Sequence, residues 1–336
     1  MTTAPTDRTL TRGWSRREVL RTLLLAGSAT LPLAACSSPT AGNEPTPDRR
    51  WGAYIPSVLP ASASSPSPID QLAALAGAAP GYLHRFAAIG DNAPIADLDA
   101  IVEAGAGPLL SLEPWQPDGG IEQPRYALSR IASGDFDDDF RRWATQLVDW
   151  GKPILLRFAQ EMNGTWYPWA IGIGGNTAAG YRAAWNRMWR IFDDVGADNV
   201  RFVWAPNALT AATTDFADAY PGHGVVDYLA ADGYNWGDAP GHHWQSARDL
   251  FPPSLSRLRE VGGNQPLLIT EVGCADGPSP EAKADWIADF FTIVDAEPRL
   301  EAFLWFQTDK ERDWRFNTTP VSTAAFRQGL ATIGDR

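Results

Sequence analysis

Two glutamates, Glu161 and Glu271, each close a short run of apolar residues in the sequence. Side chains alternate between the two faces of an extended segment, so Arg157 shares a face with Glu161, and Ile269 shares one with Glu271. A carboxylate in such a place is costly to desolvate unless a partner or a substrate compensates. Either glutamate alone is equally well explained as a helix cap or as the ion-pair partner of an arginine. Their joint occurrence predicts one catalytic site.

Two facing carboxylates in different protonation states are the groups that cleave a glycosidic bond. One gives a proton to the leaving oxygen and the other attacks the anomeric carbon, and a separation of about 5–5.5 Å gives retention through a covalent intermediate. Glu161 is the predicted acid/base, because burial among aromatic rings raises the pKa of a carboxyl. Glu271 is the predicted nucleophile, kept ionised by Arg157 and the Tyr234 hydroxyl. The rings near Glu161 in sequence are Phe158, Trp166, Tyr167 and Trp169.

Aromatic residues are unusually frequent, with 15 Trp, 8 Tyr and 14 Phe. Flat rings in excess of packing needs suggest a surface that stacks on sugar faces. Trp305 is expected to form the floor of the subsite beside the nucleophile, whereas Trp185 and Trp189 are expected to pack a helix onto the sheet. Further substrate contacts are expected from Gln160 and His84. Five tryptophans lie at strand ends or in the following loops, and we expect three of them to touch ligand: Trp115, Trp166, Trp169, Trp236 and Trp305.

The elements that must position these residues recur along the chain as short apolar or β-branched runs bounded by Gly, Pro, Asn or Asp. Strands are predicted at residues 51–57, 83–89, 108–115, 153–161, 200–207, 227–234, 266–272 and 300–306. Helical periodicity is clearest at 177–195, at 280–295 and from residue 322 onward. This alternation predicts an α/β fold, a single-domain (β/α)₈ TIM barrel, whose catalytic groups lie at the carboxyl ends of the strands. A doubly wound sheet is disfavoured because no phosphate-binding fingerprint follows the first strand.

The first 49 residues differ in composition from the rest of the chain. Arg16 and Arg17 begin a twin-arginine pattern that an uncharged apolar stretch follows, too short to span a bilayer. The stretch ends at Cys36 in a pattern resembling a bacterial lipobox, which predicts acylation of Cys36; an ordinary cleaved signal or an uncleaved anchor is the alternative. We therefore predict a signal peptide at 1–35, a flexible tether at 36–49 and the catalytic domain at 50–336. The predicted location is the bacterial cell surface, lipid-anchored or secreted.

Composition excludes several other classes of protein. The net charge of -12 argues against a nucleic-acid partner. Without residues 1–35, 23 basic and 38 acidic residues remain, which favours a neutral glycan over an acidic one as partner. The two cysteines are Cys36 and Cys274, and Cys274 is expected to be a buried, unreactive thiol. The four histidines show no metal-ligand spacing, so neither a metal nor a cofactor is predicted.

The chain resembles glycoside hydrolase family 26, whose members include endo-β-1,4-mannanases and enzymes acting on mixed-linkage β-glucan or β-1,3-xylan. The resemblance extends from about residue 50 to the end. It implies a retaining hydrolase with Glu161 as acid/base and Glu271 as nucleophile. The most specific stretch runs from Glu161-Met162-Asn163-Gly164 to Trp166-Tyr167-Pro168-Trp169. The other stretches that carry the resemblance are 203–207, 220–222, 232–236, 269–273, 305–306 and 313–315.

Gln160 is a departure from the family pattern, since mannanases of this family usually have His before the acid/base. Related barrel families have Asn there, and its amide contacts the sugar 2-hydroxyl. A glutamine amide has a longer reach, at the position expected to distinguish the axial 2-hydroxyl of mannose from the equatorial one of glucose. The polysaccharide therefore stays open among β-1,4-mannan, β-1,3/1,4-glucan and β-1,3-xylan.

Two other functions use the same residues. A catalytically silent, carbohydrate-binding lipoprotein would keep the tryptophan-lined cleft but would not need both Glu161 and Glu271. A transglycosylase acting on cell-envelope glycans would need both glutamates. The leading prediction is an endo-acting β-glycanase that acts as a monomer and meets the membrane only through a lipid anchor at Cys36.

Overall fold

The computed structural model describes residues 50–62 and 64–334 of the chain. Within these residues, eight parallel strands close into a barrel in the order of the sequence, the eighth pairing with the first. This confirms the (β/α)₈ barrel that the strand spacing predicts. The strands are β1 (Arg50–Tyr54), β2 (Tyr82–Ala88), β3 (Gly107–Glu113), β4 (Ile154–Phe158), β5 (Val200–Trp204), β6 (Tyr228–Asn235), β7 (Leu267–Cys274) and β8 (Leu300–Phe306).

Helices surround the barrel and connect most of its strands. Between β5 and β6 the described chain has a short 3₁₀ turn, Ala217–Ala219, whereas two helices separate β3 from β4. The helices are α1 (Pro68–Ala76), α2 (Ile95–Glu103), α3 (Leu128–Ser133), α4 (Asp137–Trp150), α5 (Ala178–Val195), α6 (Ala247–Gly262), α7 (Ala282–Ala296) and α8 (Pro320–Gly334). The periodic segments 177–195, 280–295 and 322 onward correspond to α5, α7 and α8.

Helix α5 illustrates how local sequence signals fix these elements. Thr177 caps its amino terminus by accepting a hydrogen bond from the Gly180 amide, at 3.0 Å. Gly196 ends it with φ at 84°, in the left-handed region that favours glycine. Trp185 is fully buried on the barrel-facing side, which agrees with its predicted packing role.

The barrel interior changes from apolar to polar along the strands. Leu155 and Ala230 belong to an apolar layer inside the barrel. Two positions further along, on the same face of each strand, come Arg157 and Asp232, both fully buried. The fold therefore places buried charge just beneath the carboxyl ends of the strands.

The predicted signal, the tether and Cys36 lie outside the described residues. Within the described part of the chain, none of the helices is long and apolar enough to cross a bilayer.

Candidate active site

A cavity of about 710 Å³ opens at the carboxyl ends of the strands. Its wall carries three buried carboxyl groups, those of Glu113, Glu161 and Glu271, each with an exposed fraction of 7% or less, and the exposed Glu311 at its rim. Nine aromatic rings also line it: Tyr54, Phe86, Trp115, Trp166, Tyr167, Tyr234, Trp236, Phe306 and Trp314. Buried acids among flat rings form a site suited to a polar ligand with apolar faces.

Glu161 follows β4 in an unusual backbone conformation. Its φ is +54°, in the left-handed region, and its amide donates to the Ala205 carbonyl at 2.8 Å. Its carboxyl accepts hydrogen bonds from Trp166 Nε1 at 2.6 Å and from Asn207 Nδ2 at 2.8 Å. Burial, together with the negative charge of Glu271, raises the pKa of Glu161 to about 7. The group can therefore hold or release a proton near neutral pH.

Gly164 allows the Trp166 ring to turn back toward Glu161. A Cβ at this glycine would lie 2.5 Å from the ring, closer than real Cβ contacts. The Gly-x-Trp spacing is thus a steric requirement for the hydrogen bond from Trp166 to Glu161.

Glu271 lies on β7 beside Asp232 of β6, after a shift in strand register between Ala231 and Asp232. Irregular pairing of this kind re-aims side chains next to active sites. One carboxylate oxygen of Glu271 accepts from the Arg157 guanidinium and the other from the Tyr234 hydroxyl. Both oxygens are thus held, so the orientation of the carboxylate toward the cavity is fixed.

Arg157 anchors a buried polar layer beneath the cavity. It pairs with Asp232 at 2.5 Å and donates to Ser111 Oγ at 2.7 Å. Burial opposes its charge, but the negative Asp232 and Glu271 outweigh that effect and raise the pKa of Arg157 above its ordinary value. Arg157 therefore donates to Glu271 from beneath the cavity and does not itself line the cavity wall.

His84 belongs to this same layer rather than to the cavity wall. It is fully buried, and its Nε2 lies 2.7 Å from Ser111 Oγ. Burial and the nearby Arg157 lower its pKa well below the ordinary value, so the ring is neutral. The structure thus places His84 where it supports Arg157, away from the surface that a substrate reaches.

Glu113, at the end of β3, is a cavity residue that the sequence reasoning missed. Gln160 Nε2 donates to its carboxyl at 2.6 Å and Trp115 Nε1 at 3.2 Å. Burial raises the pKa of Glu113 to about 7. Gln160 itself is fully buried, so its amide faces Glu113, and Glu113 is the group that faces the cavity. The available signal was a third apolar strand ending in Glu, the same pattern that identified Glu161.

Three of the five singled-out tryptophans line the cavity: Trp115, Trp166 and Trp236. The structure does not bring Trp169 and Trp305 to it, since both are fully buried. Trp169 donates to the Gln160 carbonyl at 2.7 Å, and Trp305 donates to the Trp314 carbonyl at 2.8 Å. Each of these two tryptophans thus fixes the backbone of a residue next to the cavity or in its wall.

The place in the cavity wall that the sequence predicted for Trp305 is taken by Phe306 and Trp314. Phe306 faces the cavity because side chains alternate along β8, and Trp305 points to the helix layer, with its ring 5.3 Å from Phe326. Trp314, from the loop after β8, supplies the tryptophan of this wall, 4.8 Å from the ring of Tyr234. Because adjacent residues of β8 face opposite sides, Phe306 is available to a ligand and Trp305 is not.

The comparisons with known proteins agree with this arrangement. Residues 129–289, which contain β4 through β7, match the model of Glycosyl hydrolase family 26. The chain is 34% identical to Endoglucanase H of Acetivibrio thermocellus over 69% of its length and 25% of that protein. It is 24% identical to Beta-1,3-xylanase TXYA of a Vibrio species, over 56% of its length and 43% of that protein. The chain thus spans less than half of either curated relative.

Among solved structures, a GH26 β-mannanase from Bacteroides ovatus superimposes with a TM-score of 0.64. It is 17% identical to this chain, and the match covers 86% of this chain and 90% of that one. At this identity the likeness concerns the fold.

The fold and the cavity together define a (β/α)₈ barrel with paired carboxylates at the carboxyl ends of its fourth and seventh strands. With the family match across those strands, the class becomes specific. This match assigns residues 129–289, the part of the barrel that contains both glutamates, to glycosyl hydrolase family 26.

Proposed function

We propose that the chain is a retaining endo-β-glycanase that hydrolyses a neutral β-linked polysaccharide by double displacement, without metal or cofactor. One observation carries the proposal: in a single cavity, one carboxyl group accepts hydrogen bonds from neutral donors only, whereas the other also accepts from a charged donor. Glu161 has neutral donors and a pKa of about 7, whereas Glu271 contacts the Arg157 guanidinium and the Tyr234 hydroxyl. A proton donor beside an anionic nucleophile is the pair that this chemistry requires.

The reaction would take two steps. In the first, Glu161 gives its proton to the leaving oxygen while Glu271 attacks the anomeric carbon, so that the glycosidic bond breaks and an ester to Glu271 forms. In the second, ionised Glu161 takes a proton from water as the water attacks the same carbon and releases Glu271. Tyr234 and Arg157 would keep the nucleophile oriented through both steps.

Sugar rings would be held by the aromatic wall. Trp166 has an exposed fraction of 40%, high for so large an apolar side chain, and it lies beside Glu161. Such a ring offers a stacking face next to the leaving group. Glu113 would accept hydrogen bonds from sugar hydroxyls, with Gln160 fixing its orientation.

Glucan is the first polymer to test. Endoglucanase H shares 34% identity over most of the described barrel. Gln160, where family mannanases have His, holds Glu113 at 2.6 Å and so changes the donors and acceptors available to the 2-hydroxyl. β-1,4-mannan and β-1,3-xylan are the other candidates, since relatives are named a mannan endo-1,4-β-mannosidase and a β-1,3-xylanase.

The decisive experiment incubates the purified chain with mixed-linkage β-glucan, curdlan, mannan and β-1,3-xylan and detects new reducing ends. We expect cleavage of at least one polymer, greatest on glucan, with a product that initially keeps its anomeric configuration by NMR. An inverted initial product would eliminate the double displacement.

A silent carbohydrate-binding protein and an envelope transglycosylase are the alternatives. Binding without cleavage, seen as retardation in affinity electrophoresis, would favour the first. Chain lengthening of oligosaccharides in place of new reducing ends would favour the second.

We also propose that the chain is exported by the twin-arginine route and acylated at Cys36, as its first 36 residues suggest. Labelled palmitate should enter the wild-type chain in a bacterial host and should not enter Cys36→Ala. Equal labelling of both would refute acylation at this residue.

We further propose that the chain is a monomer, which its mass in sedimentation would test.

A further inference from the structure

Lys283 is a buried cation in an unfavourable place. It lies in the first turn of α7 with an exposed fraction of 1%. A positive charge near the amino terminus of a helix opposes the helix dipole, and burial adds a desolvation cost. Burial lowers the pKa of Lys283, while Asp276 and Cys274 act in the opposite direction. An amine in this position needs compensating contacts.

Those contacts join three separate segments. Lys283 Nζ donates to Asp276 Oδ1, just beyond β7, at 3.2 Å and to the Asp313 carbonyl, beyond β8, at 3.2 Å. Asp276 Oδ1 also accepts from Thr318 Oγ1 at 2.6 Å. We call residues 308–318 the strap. One ammonium group thus connects α7, the end of β7 and the strap.

The strap carries part of the cavity wall, namely Lys310, Glu311 and Trp314. The carbonyl that Lys283 holds belongs to Asp313, the residue immediately before Trp314. The Trp314 ring contacts that of Trp236, another part of the cavity wall, at 4.9 Å between centroids. Lys283 therefore restrains the peptide group from which this ring projects.

We propose that Lys283 is a positioning residue that locks the strap, and with it the Trp314 ring, against the cavity. The part of this proposal that concerns sugar binding rests on the proposed function. Glu161 and Glu271 receive their hydrogen bonds from Trp166, Asn207, Arg157 and Tyr234, none of which belongs to the strap. Loss of the lock should thus weaken substrate binding more than it slows the chemical step, since only Tyr234 among these donors packs on the Trp314 ring.

Trypsin tests the lock without reference to activity, because the strap contains Lys310, Arg312 and Arg315. In native full-length Lys283→Met, cleavage within 308–318, followed by mass spectrometry, should be at least about tenfold faster than in wild type, because a charge-assisted contact is lost. Asp276→Asn removes the partner from a more exposed position and should give a smaller acceleration. Lys152→Met is the matched control, since that lysine pairs with Asp99 at 2.5 Å just ahead of β4, at the opposite end of the barrel. Strap cleavage at the wild-type rate in both Lys283→Met and Asp276→Asn would overturn the proposal.

Kinetics on the cleaved polymer then separate positioning from general damage. Lys283→Met should raise KM about tenfold with kcat within about threefold of wild type, and Lys283→Arg should recover part of the loss. A fall in kcat with unchanged KM would also overturn the positioning role. If the wild-type chain cleaves no glycan, the proposed function fails while the trypsin result still decides whether Lys283 locks the strap.

Discussion

The surroundings of Glu161 and of Glu271 differ in kind although both side chains lie in one cavity and are almost equally buried. Glu161 accepts from two neutral donors, Trp166 and Asn207. Glu271 accepts from the charged Arg157 and from Tyr234. Burial is thus common to both, and the charge of the nearest donor is what separates them.

This contrast shows how one barrel mouth can hold two acids with different tasks. Neutral donors stabilise a carboxylate less than a guanidinium does, so burial dominates at Glu161 and its pKa is raised to about 7. At Glu271 the guanidinium is itself fixed by Asp232 and Ser111 beneath the cavity. The division of roles therefore depends on the layer below the site as much as on the two glutamates.

The largest expected effect follows from removing Glu271, the proposed nucleophile. Glu271→Ala should lower kcat by roughly 10⁴-fold or more, as loss of a nucleophile does in other hydrolases. Added azide should restore turnover and give an α-glycosyl azide from a β-glycoside, which NMR identifies. A β-azide product would instead assign the nucleophile's role to another residue.

The effect of Glu161→Ala should depend on how readily the leaving group departs without a proton. Polysaccharide cleavage should fall by about 10²–10⁴-fold, because general acid catalysis is lost, whereas an aryl glycoside with an acidic phenol should lose far less in the step that forms the intermediate. Glu113→Gln is the matched control, since the pKa of Glu113 is also raised to about 7 in the same cavity. That variant should affect both substrates alike. If Glu113→Gln showed the leaving-group dependence and Glu161→Ala did not, the acid would be Glu113.

Tyr234→Phe, which changes the surroundings of Glu271, should lower kcat by an intermediate amount. It removes one of the two donors to Glu271 but leaves Arg157 in place, so kcat should fall about tenfold, the value of one hydrogen bond to a charged group. The basic limb of the pH profile should stay where it is in wild type. Movement of that limb would show that Tyr234 also affects the proton held by Glu161.

The smallest expected effect is a shift in pH dependence. Because Glu161 must be protonated, kcat/KM should fall as pH rises through about 7. The hydrogen bond from Asn207 stabilises the anion and lowers this pKa, so Asn207→Ala should move the basic limb upward by less than about one unit. A downward shift in the profile of kcat/KM against pH would contradict this account of Glu161.

Much of the fold was predictable from local signals. Strand spacing and turn residues predict all eight strands, and the amphipathic pattern and its Thr177 and Gly196 boundaries predict α5. The barrel mouth then follows, because parallel strands of a barrel end on one face. Glu161 and Glu271 were found for the same reason.

The less predictable part of the site involves contacts between strands. Gln160 was expected to reach a sugar, but in the structure it donates to Glu113 of β3, 47 residues away in sequence. Trp305 was expected at the cavity, but the alternation along β8 gives that place to Phe306. Trp314 enters from a loop whose position depends on Lys283 of α7.

The sequence by itself determined the barrel, the face at which its strands end and the two strands that lead to Glu161 and Glu271, since these depend on patterns within single elements. Only the tertiary structure decided that Asn207 reaches Glu161, that Glu113 is a third buried acid in the cavity, and which rings face it. The physical reason is that protonation and exposure depend on neighbours from other strands. Asn207 reaches Glu161 across 46 positions of sequence. No local pattern encodes a contact of that range.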